Sequence, residues 1–297
     1  MKAPQPGPFE PRLLRQRKRR AAAGFREAAF LHQRAAEDLA ERLEAIPRPF
    51  PRVLALGGGG LFSKAARARP ELAARIGAII EADIASGGVQ LDPEALPFAE
   101  ASFDLIVSPL ALHSVNDLPG ALIQLRRALK PDGLLLAALF GGATLNELRL
   151  SLIEAEIELT GGAGPRVAPF ADLQDLTHLM QRAGFALPAG DRDVVKVRYA
   201  EPMRLLADLR AMGETAALSE RSPRGLSRRI LARTFEIYAA RFSDPDGRVR
   251  ATFEIINLAG WAPHESQQKP LKPGSAKTRL ADALGVKEQD AGDKAGG

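Results

Sequence analysis

Between Arg52 and Leu139 short apolar runs alternate with amphipathic stretches, and few folds accommodate that alternation. Arg52 to Leu56, Ile76 to Ala82, Gly88 to Leu91, Phe103 to Ser108 and Gly133 to Leu139 read as five strands. Helices are expected between them, at Phe62 to Arg75 and at Asp117 to Lys130, the second with Leu118, Leu122, Leu125 and Leu129 on one face. Apolar strands joined through helices mean a parallel sheet covered on both sides, because crossover helices bury both faces. The expected fold class is therefore α/β, a doubly wound Rossmann-like sheet. Pro131, Asp132 and Gly133 supply the turn into the fifth strand.

The flanks divide the chain further. Leu31, Ala35, Leu39 and Leu43 recur at helical spacing with charged residues opposite, and Pro47, Pro49 and Pro51 end that helix. Residues 1–50 are thus a basic arm and helix, 51–140 the core, 141–270 the completion of the sheet with helices expected to form a lid, and 271–297 a flexible tail rich in Lys, Gly and Asp. Within the third part, helices are expected at Ala143 to Leu159, Phe170 to Arg182, Glu201 to Met212 and Pro223 to Phe242, with a strand at Val194 to Tyr199.

Composition removes several classes of function. The chain has no cysteine, so disulfide frameworks, thiol nucleophiles and thiolate metal sites are excluded. No apolar run reaches the roughly 18 residues a membrane span needs, so stable membrane insertion is not expected. The net charge of +5 gathers in Arg12, Arg15, Arg17, Lys18, Arg19 and Arg20. That run reads as a solvated or protein-contacting helix face, with a mitochondrial presequence or a polyanion-binding arm as alternatives. It lacks the interleaved aromatics of a single-strand binder, so no nucleic-acid partner is expected. None of the four histidines, His32, His113, His178 and His264, has an acidic residue two positions on, so the local pairing common in iron oxygenases is missing and no metal is expected.

Gly57, Gly58, Gly59 and Gly60 follow the first strand directly, where the backbone of a doubly wound sheet turns sharply and approaches a ligand. Asp83, past the second strand, is placed to accept hydrogen bonds from ribose hydroxyls. Asp92, past the third, can accept from an adenine amino group while Leu96 lines the base. Each aspartate alone reads equally as a loop or capping residue. Trp261 and His264, in GWAPHES, read as a packing anchor, with a substrate or partner contact as the alternative.

The segments ALGGGG (55–60), ADIAS (82–86), LDPEALPFAEASFDLIVS (91–108), LHSVNDLP (112–119) and LKPDG (129–133) together resemble class I S-adenosylmethionine (SAM) dependent methyltransferases. FGGATLNELRLSL (140–152), PRVAPFADLQDLTHLMQRAGF (165–185), MGET (212–215) and GWAPHESQQKP (260–270) are similar to the complex I assembly factors described as arginine hydroxylases and their bacterial relatives. The malonyl-carrier-protein methyltransferases of biotin synthesis share mainly the core motifs. The resemblance implies SAM as cofactor, with Gly57 and Gly59 beside its methionine part, Asp83 near the ribose and Asp92 near the adenine. It also implies that His113, Asn116 and Asp117 face the reacting end, and that the partner is a protein substrate such as a complex I subunit.

The chain departs from that family's pattern at three places. Ala55 stands where an aspartate is usual, Leu61 replaces a third glycine and Ser114 replaces a tryptophan. Loss of the acid removes a polar group for the amino-acid end of SAM. Two further functions therefore stand beside protein modification: methyl transfer to a small or carrier-bound acceptor, and a non-catalytic assembly scaffold whose cofactor loop has decayed. A cytoplasmic bacterial setting is expected from the absence of a leader before the matching region, with the mitochondrial matrix as alternative.

Overall fold

The computed structural model describes residues 7–85, 88–221 and 225–267. The expected flexible tail, 271–297, and Pro223 of the expected last helix lie outside them. The chain divides at Pro263. Of the unit that begins at His264, the described residues form a turn in which the His264 N–H donates to Gln267 Oε1 and the Ser266 N–H to His264 Nδ1. Everything below concerns the unit up to Pro263.

Seven strands form one sheet in the order β3-β2-β1-β4-β5-β7-β6. Strands β1 (Phe50–Leu56), β2 (Ile76–Asp83), β3 (Val89–Gln90), β4 (Phe103–Pro109) and β5 (Leu129–Phe140) run parallel, and β7 (Val249–Trp261) lies antiparallel between β5 and β6 (Ala186–Tyr199). The five expected strands are all present. β3 is reduced to two residues, and β5 begins earlier than expected because Leu129 already pairs with Phe103. A register shift between Phe103 and Leu105 absorbs the Pro131–Asp132 bend, where Asp132 takes φ 62°.

Period-two alternation along the central strands feeds two separate cores. Val53, Ala55, Leu105, Val107, Leu134 and Leu136 face one, while Leu54, Leu56, Ile106, Leu135 and Ala137 face the other. The first core is covered by α3 (Phe30–Glu44), α4 (Leu61–Arg67), α5 (Pro70–Arg75), α7 (Asn146–Thr160), α9 (Pro202–Ala211) and α10 (Arg228–Phe242). The second is covered by α6 (Leu118–Ala128) and α8 (Leu173–Arg182). The α3 stripe behaves as the spacing predicts, since Leu31, Ala35, Leu39 and Leu43 are all buried. Each such leucine contributes about 1.5–3 kcal/mol by leaving water.

Three differences from the sequence expectation have local causes. The single helix expected over Phe62 to Arg75 is two, because Pro70 forces Arg69 into an extended conformation (φ −110°, ψ 101°) and starts α5 afresh. β6 begins eight residues before the expected Val194; its first half, ALPAGDRD, has no strand propensity and is held by pairing to β7 and by ion pairs from Arg42 to Asp191 and Arg34 to Asp193. The third is β7 itself, a stretch left unassigned by the alternation that ends at Leu139. It completes the sheet and is buried over most of its length. Trp261, at its end, pairs with Leu134 in β5 and packs under the Arg48 guanidinium, 5.5 Å from the ring centroid. It lies at the opposite edge of the sheet from the glycine loop, as a packing anchor.

The basic run forms α1 (Pro11–Ala21), with the short α2 (Phe25–Ala28) after it. Pro11 sits at the start of α1, where its missing N–H costs nothing. Only Leu14 and Ala21 of this helix are buried, so polar contacts hold most of it in place.

Candidate functional site

One cavity lies at the carboxyl ends of β1, β2 and β4, with about 870 Å³ of empty space including its open mouth. Gly57, Gly58, Gly59, Asp83, Asp92 and Asn116 all line it. The position follows from the topology, because ligands of open α/β sheets bind where strand order reverses, here between β1 and β4.

The glycine loop needs its glycines. Residues 57–60 all have positive φ, and Gly57 (φ 83°, ψ −171°) occupies a region essentially closed to side chains. A Cβ on Gly57 would fall 2.4 Å from the Ala111 Cβ and 3.9 Å from Asp83 Oδ2. Leu61, where a third glycine is usual, has φ −66° and starts α4, so the departure there introduces no backbone conflict. Ala55 is fully buried in β1 and brings no polar group to the cavity, whereas Ser114 lines it.

Asp83 Oδ1 accepts the Ala85 N–H at 3.0 Å, which leaves Oδ2 toward the glycine loop. Asp92 is more fully engaged. Its Oδ1 accepts the Glu94 N–H at 3.0 Å and its Oδ2 accepts Arg15 Nη2 at 2.6 Å, so α1 reaches over the cavity and holds it. Asn116 grips the same N-terminal segment: Oδ1 accepts the Phe9 N–H at 2.8 Å and Nδ2 donates to the Phe9 carbonyl at 3.1 Å. Phe25 follows over the loop, with ring atoms 3.0 Å from where a Gly59 Cβ would stand.

Three of the expected site residues stand elsewhere. Asp117 does not line the cavity; it caps α6, Oδ1 accepting the Gly120 N–H at 2.9 Å. Leu96 packs on the second core and its N–H donates to Gln124 Oε1 at 3.0 Å, outside the lining. His113 sits behind the cavity wall, its ring 4.7 Å from that of Phe140 and its Nε2 3.0 Å from Glu214 Oε2. The lid expected from residues 141–270 contributes only Met212 to the lining; the cover is N-terminal, with Phe9, Pro11, Leu14, Lys18 and Phe25.

Sequence reasoning missed Glu214. It lies in the turn after α9, its side chain 9% exposed, and Lys18, His32 and His113 all bond to it. His32 Nε2 is 3.1 Å from Oε1. Burial alone would push this carboxyl up, yet Lys18, His113 and His32 together hold it well below the usual carboxylate range. Burial pushes His32 down from its ordinary value, which leaves its ring neutral. A carboxylate only accepts, so Nε2 of each imidazole carries a proton, and Nδ1 of the neutral His32 ring is a bare acceptor. Both Nδ1 atoms are buried without a partner among the described residues. The signal was present in the MGET motif, whose Met212 lines the cavity and whose Gly213 (φ 72°) lets α1 approach, a Cβ there falling 3.1 Å from Lys18 Cδ.

The residues present fit SAM: a glycine cradle that a side chain would fill, and, one strand away, a carboxylate oxygen with no hydrogen-bond partner among the described residues. Gly57 and Gly59 would adjoin its amino-acid part, Asp83 its ribose and Asp92 its adenine.

The chain is similar to known methyltransferases and arginine hydroxylases. Residues 58–137 match the family model described as a methyltransferase domain. The chain is 39% identical over 267 residues to human arginine-hydroxylase NDUFAF5, mitochondrial, covering 85% of this chain and 76% of that protein. The Danio rerio counterpart is 38% identical over 262 residues, with 85% and 81% covered. Malonyl-[acyl-carrier protein] O-methyltransferase of Halorhodospira halophila is 34% identical over 274 residues, with 86% and 90% covered. The crystal structure of the YcgJ protein of Bacillus subtilis shares the fold, with a TM-score of 0.50 at 14% identity over 78% of this chain and 99% of that one. Fold order, glycine loop and these relatives agree that the chain belongs to the class I SAM-dependent methyltransferase superfamily, in the family that includes the NDUFAF5 arginine hydroxylases and the malonyl-carrier-protein methyltransferases.

Proposed function

We propose that this chain is a SAM-dependent enzyme that modifies a protein side chain, an arginine of a respiratory complex I subunit, during assembly of that complex. The observation that carries the reading is convergence: the glycine loop, Asp83, Asp92 and Asn116 open onto one cavity, and an ionised buried carboxylate, Glu214, bonds to two side chains of its wall. The relatives named arginine hydroxylases supply the acceptor. The setting would be the bacterial cytoplasm, with the mitochondrial matrix as alternative.

SAM, when bound, supplies a methyl group on a sulfonium. The chain's part is to hold the acceptor in line with that centre and to exclude water, which lowers the barrier by removing translational and rotational freedom before reaction. α1 and Phe25 close the mouth and so serve the second task. Methylation requires only that the acceptor lose a proton. Hydroxylation would need, besides SAM, an oxidant that supplies the oxygen atom and, where that oxidant is dioxygen, a two-electron reductant.

A second reading, methyl ester formation on a carrier-bound acid, is favoured by the 34% identity that extends over 90% of the Halorhodospira halophila carrier-protein methyltransferase. Mass spectrometry of wild-type and deletion cells separates the outcomes. An arginine of a complex I subunit that loses one oxygen in the deletion supports hydroxylation, and loss of one methylene supports methylation. A lost carrier methyl ester selects the second reading. An unchanged proteome with an assembly defect that Asp83→Ala still rescues would leave only a scaffold.

A further inference from the structure

The Glu214 cluster is built for a cation, and the cation it holds belongs to the N-terminal helix. Glu214 lies at the meeting point of three distant segments: Lys18 from α1, His32 from α3 and His113 from the loop after β4. The cation is Lys18, with its side chain 16% exposed and in the lining of the cavity that also contains the glycine loop. The cluster is open to further hydrogen bonding, since Nδ1 of His32 and Nδ1 of His113 are buried without partners among the described residues.

The helix that brings Lys18 is attached by exchangeable contacts. Two of its residues are buried, and the rest of its hold is polar: Arg15 on Asp92, Arg17 on the Ala216 carbonyl, and Asn116 on the Phe9 backbone just before it. Arg15 and Lys18 are basic side chains one helical turn apart, and each rests on a carboxylate at or beside the cavity. Exchange of one cation for another keeps Glu214 paired, so the cost of stranding a buried charge is avoided.

We propose that Glu214 is the seat for the cationic head of the acceptor, a guanidinium, and that Lys18 is its internal stand-in, so that α1 is an intramolecular plug displaced when an arginine side chain enters. This rests on the arginine acceptor of the preceding section. A planar guanidinium matches the carboxylate better than the ammonium it replaces, because its fork of N–H donors can meet both oxygens in parallel. His32 and His113 are then positioning residues, which fix the two carboxylate oxygens through their Nε2–H donors.

The test compares binding of acetyl-Gly-Gly-Arg-Gly-Gly-amide with its citrulline counterpart, by calorimetry, to the full chain. Lys18→Ala is expected to bind the arginine peptide about tenfold more tightly than wild type, because the competing cation is gone. The citrulline peptide is expected to gain nothing, and Lys18→Ala with Glu214→Gln to lose the gain. An equal gain for citrulline, a gain that survives Glu214→Gln, or no gain at all would overturn the proposal. Should Lys18→Ala not fold, Arg15→Ala decides: it loosens α1 at a half-exposed site without touching Glu214, and must also tighten arginine-peptide binding relative to wild type. No gain there is equally fatal. Arginines left unmodified in cells, together with a Glu214-dependent gain in vitro, would fail the functional reading and leave this seat standing; the converse would fail the seat alone.

Discussion

The two walls of the cavity are built in different ways. The sheet wall takes Gly57, Gly59, Asp83 and Asp92 from the ends of successive strands, each residue placed by the strand before it. The cap wall takes Lys18 and His32, which meet Glu214 and His113 behind it, from segments up to 196 positions apart. The sheet wall offers acceptors and bare backbone suited to a nucleoside. The cap wall offers a buried ion pair with two imidazoles, suited to a charged acceptor. A chain whose recognition of a cofactor is local and whose recognition of an acceptor is non-local can keep the first while it changes the second.

Substitutions on either wall separate these roles. The largest stability effect belongs to the cap. Glu214→Ala strands the Lys18 charge and the His32 N–H, and urea denaturation is expected to show a loss of about 3–5 kcal/mol, the range for removing one partner of a buried pair. A loss no larger than a surface substitution would mean that the cluster is hydrated and the two walls alike. On the sheet wall, Gly57→Ala is expected to cost about 1–3 kcal/mol from backbone strain, with the Ala111 clash added. Asp83→Ala is expected to leave stability nearly unchanged and to weaken SAM binding by about 1.5–3 kcal/mol, the worth of hydrogen bonds to a charged group, measured by calorimetry. Asp117→Ala should cost about 1 kcal/mol of stability as a lost helix cap and leave SAM binding alone.

Acid sharpens the comparison by direction. His32 has a lowered pKa, so below the ordinary value of 6.5 the unfolded chain takes up a proton that the folded chain refuses, and stability falls as pH falls through that window. Glu214 is also lowered, so its contribution persists above the ordinary 4.5 and is lost as pH falls from there through the lower folded value. His32→Gln should flatten the first fall and Glu214→Gln the second in thermal unfolding followed across pH.

What could be read in advance divides along the same line. The five parallel strands, the α3 stripe and the glycine loop announce themselves through local spacing, and so do Asp83 and Asp92. β6 does not, because ALPAGDRD is a strand only by virtue of its neighbour β7. Asp117 was legible as polar and correctly placed in the chain, but sequence alone does not tell a capping side chain from one aimed at a ligand. Glu214 was hidden most fully: an acidic residue after a helix is ordinary, and its meaning depends on a lysine in the basic run and two histidines that no periodicity connects. The lid fell to the wrong terminus in expectation for the same reason, since the contacts of Arg15 and Phe9 with Asp92 and Asn116 span more than 70 residues.

A nucleoside cofactor in the sheet wall is the central requirement of the proposed function. Titration of the folded chain with SAM in a calorimeter tests it directly. Saturable binding at one site, sharply weakened by Asp83→Ala, is the predicted result; a chain that is folded by circular dichroism and gives no SAM-dependent heat at any concentration would contradict it.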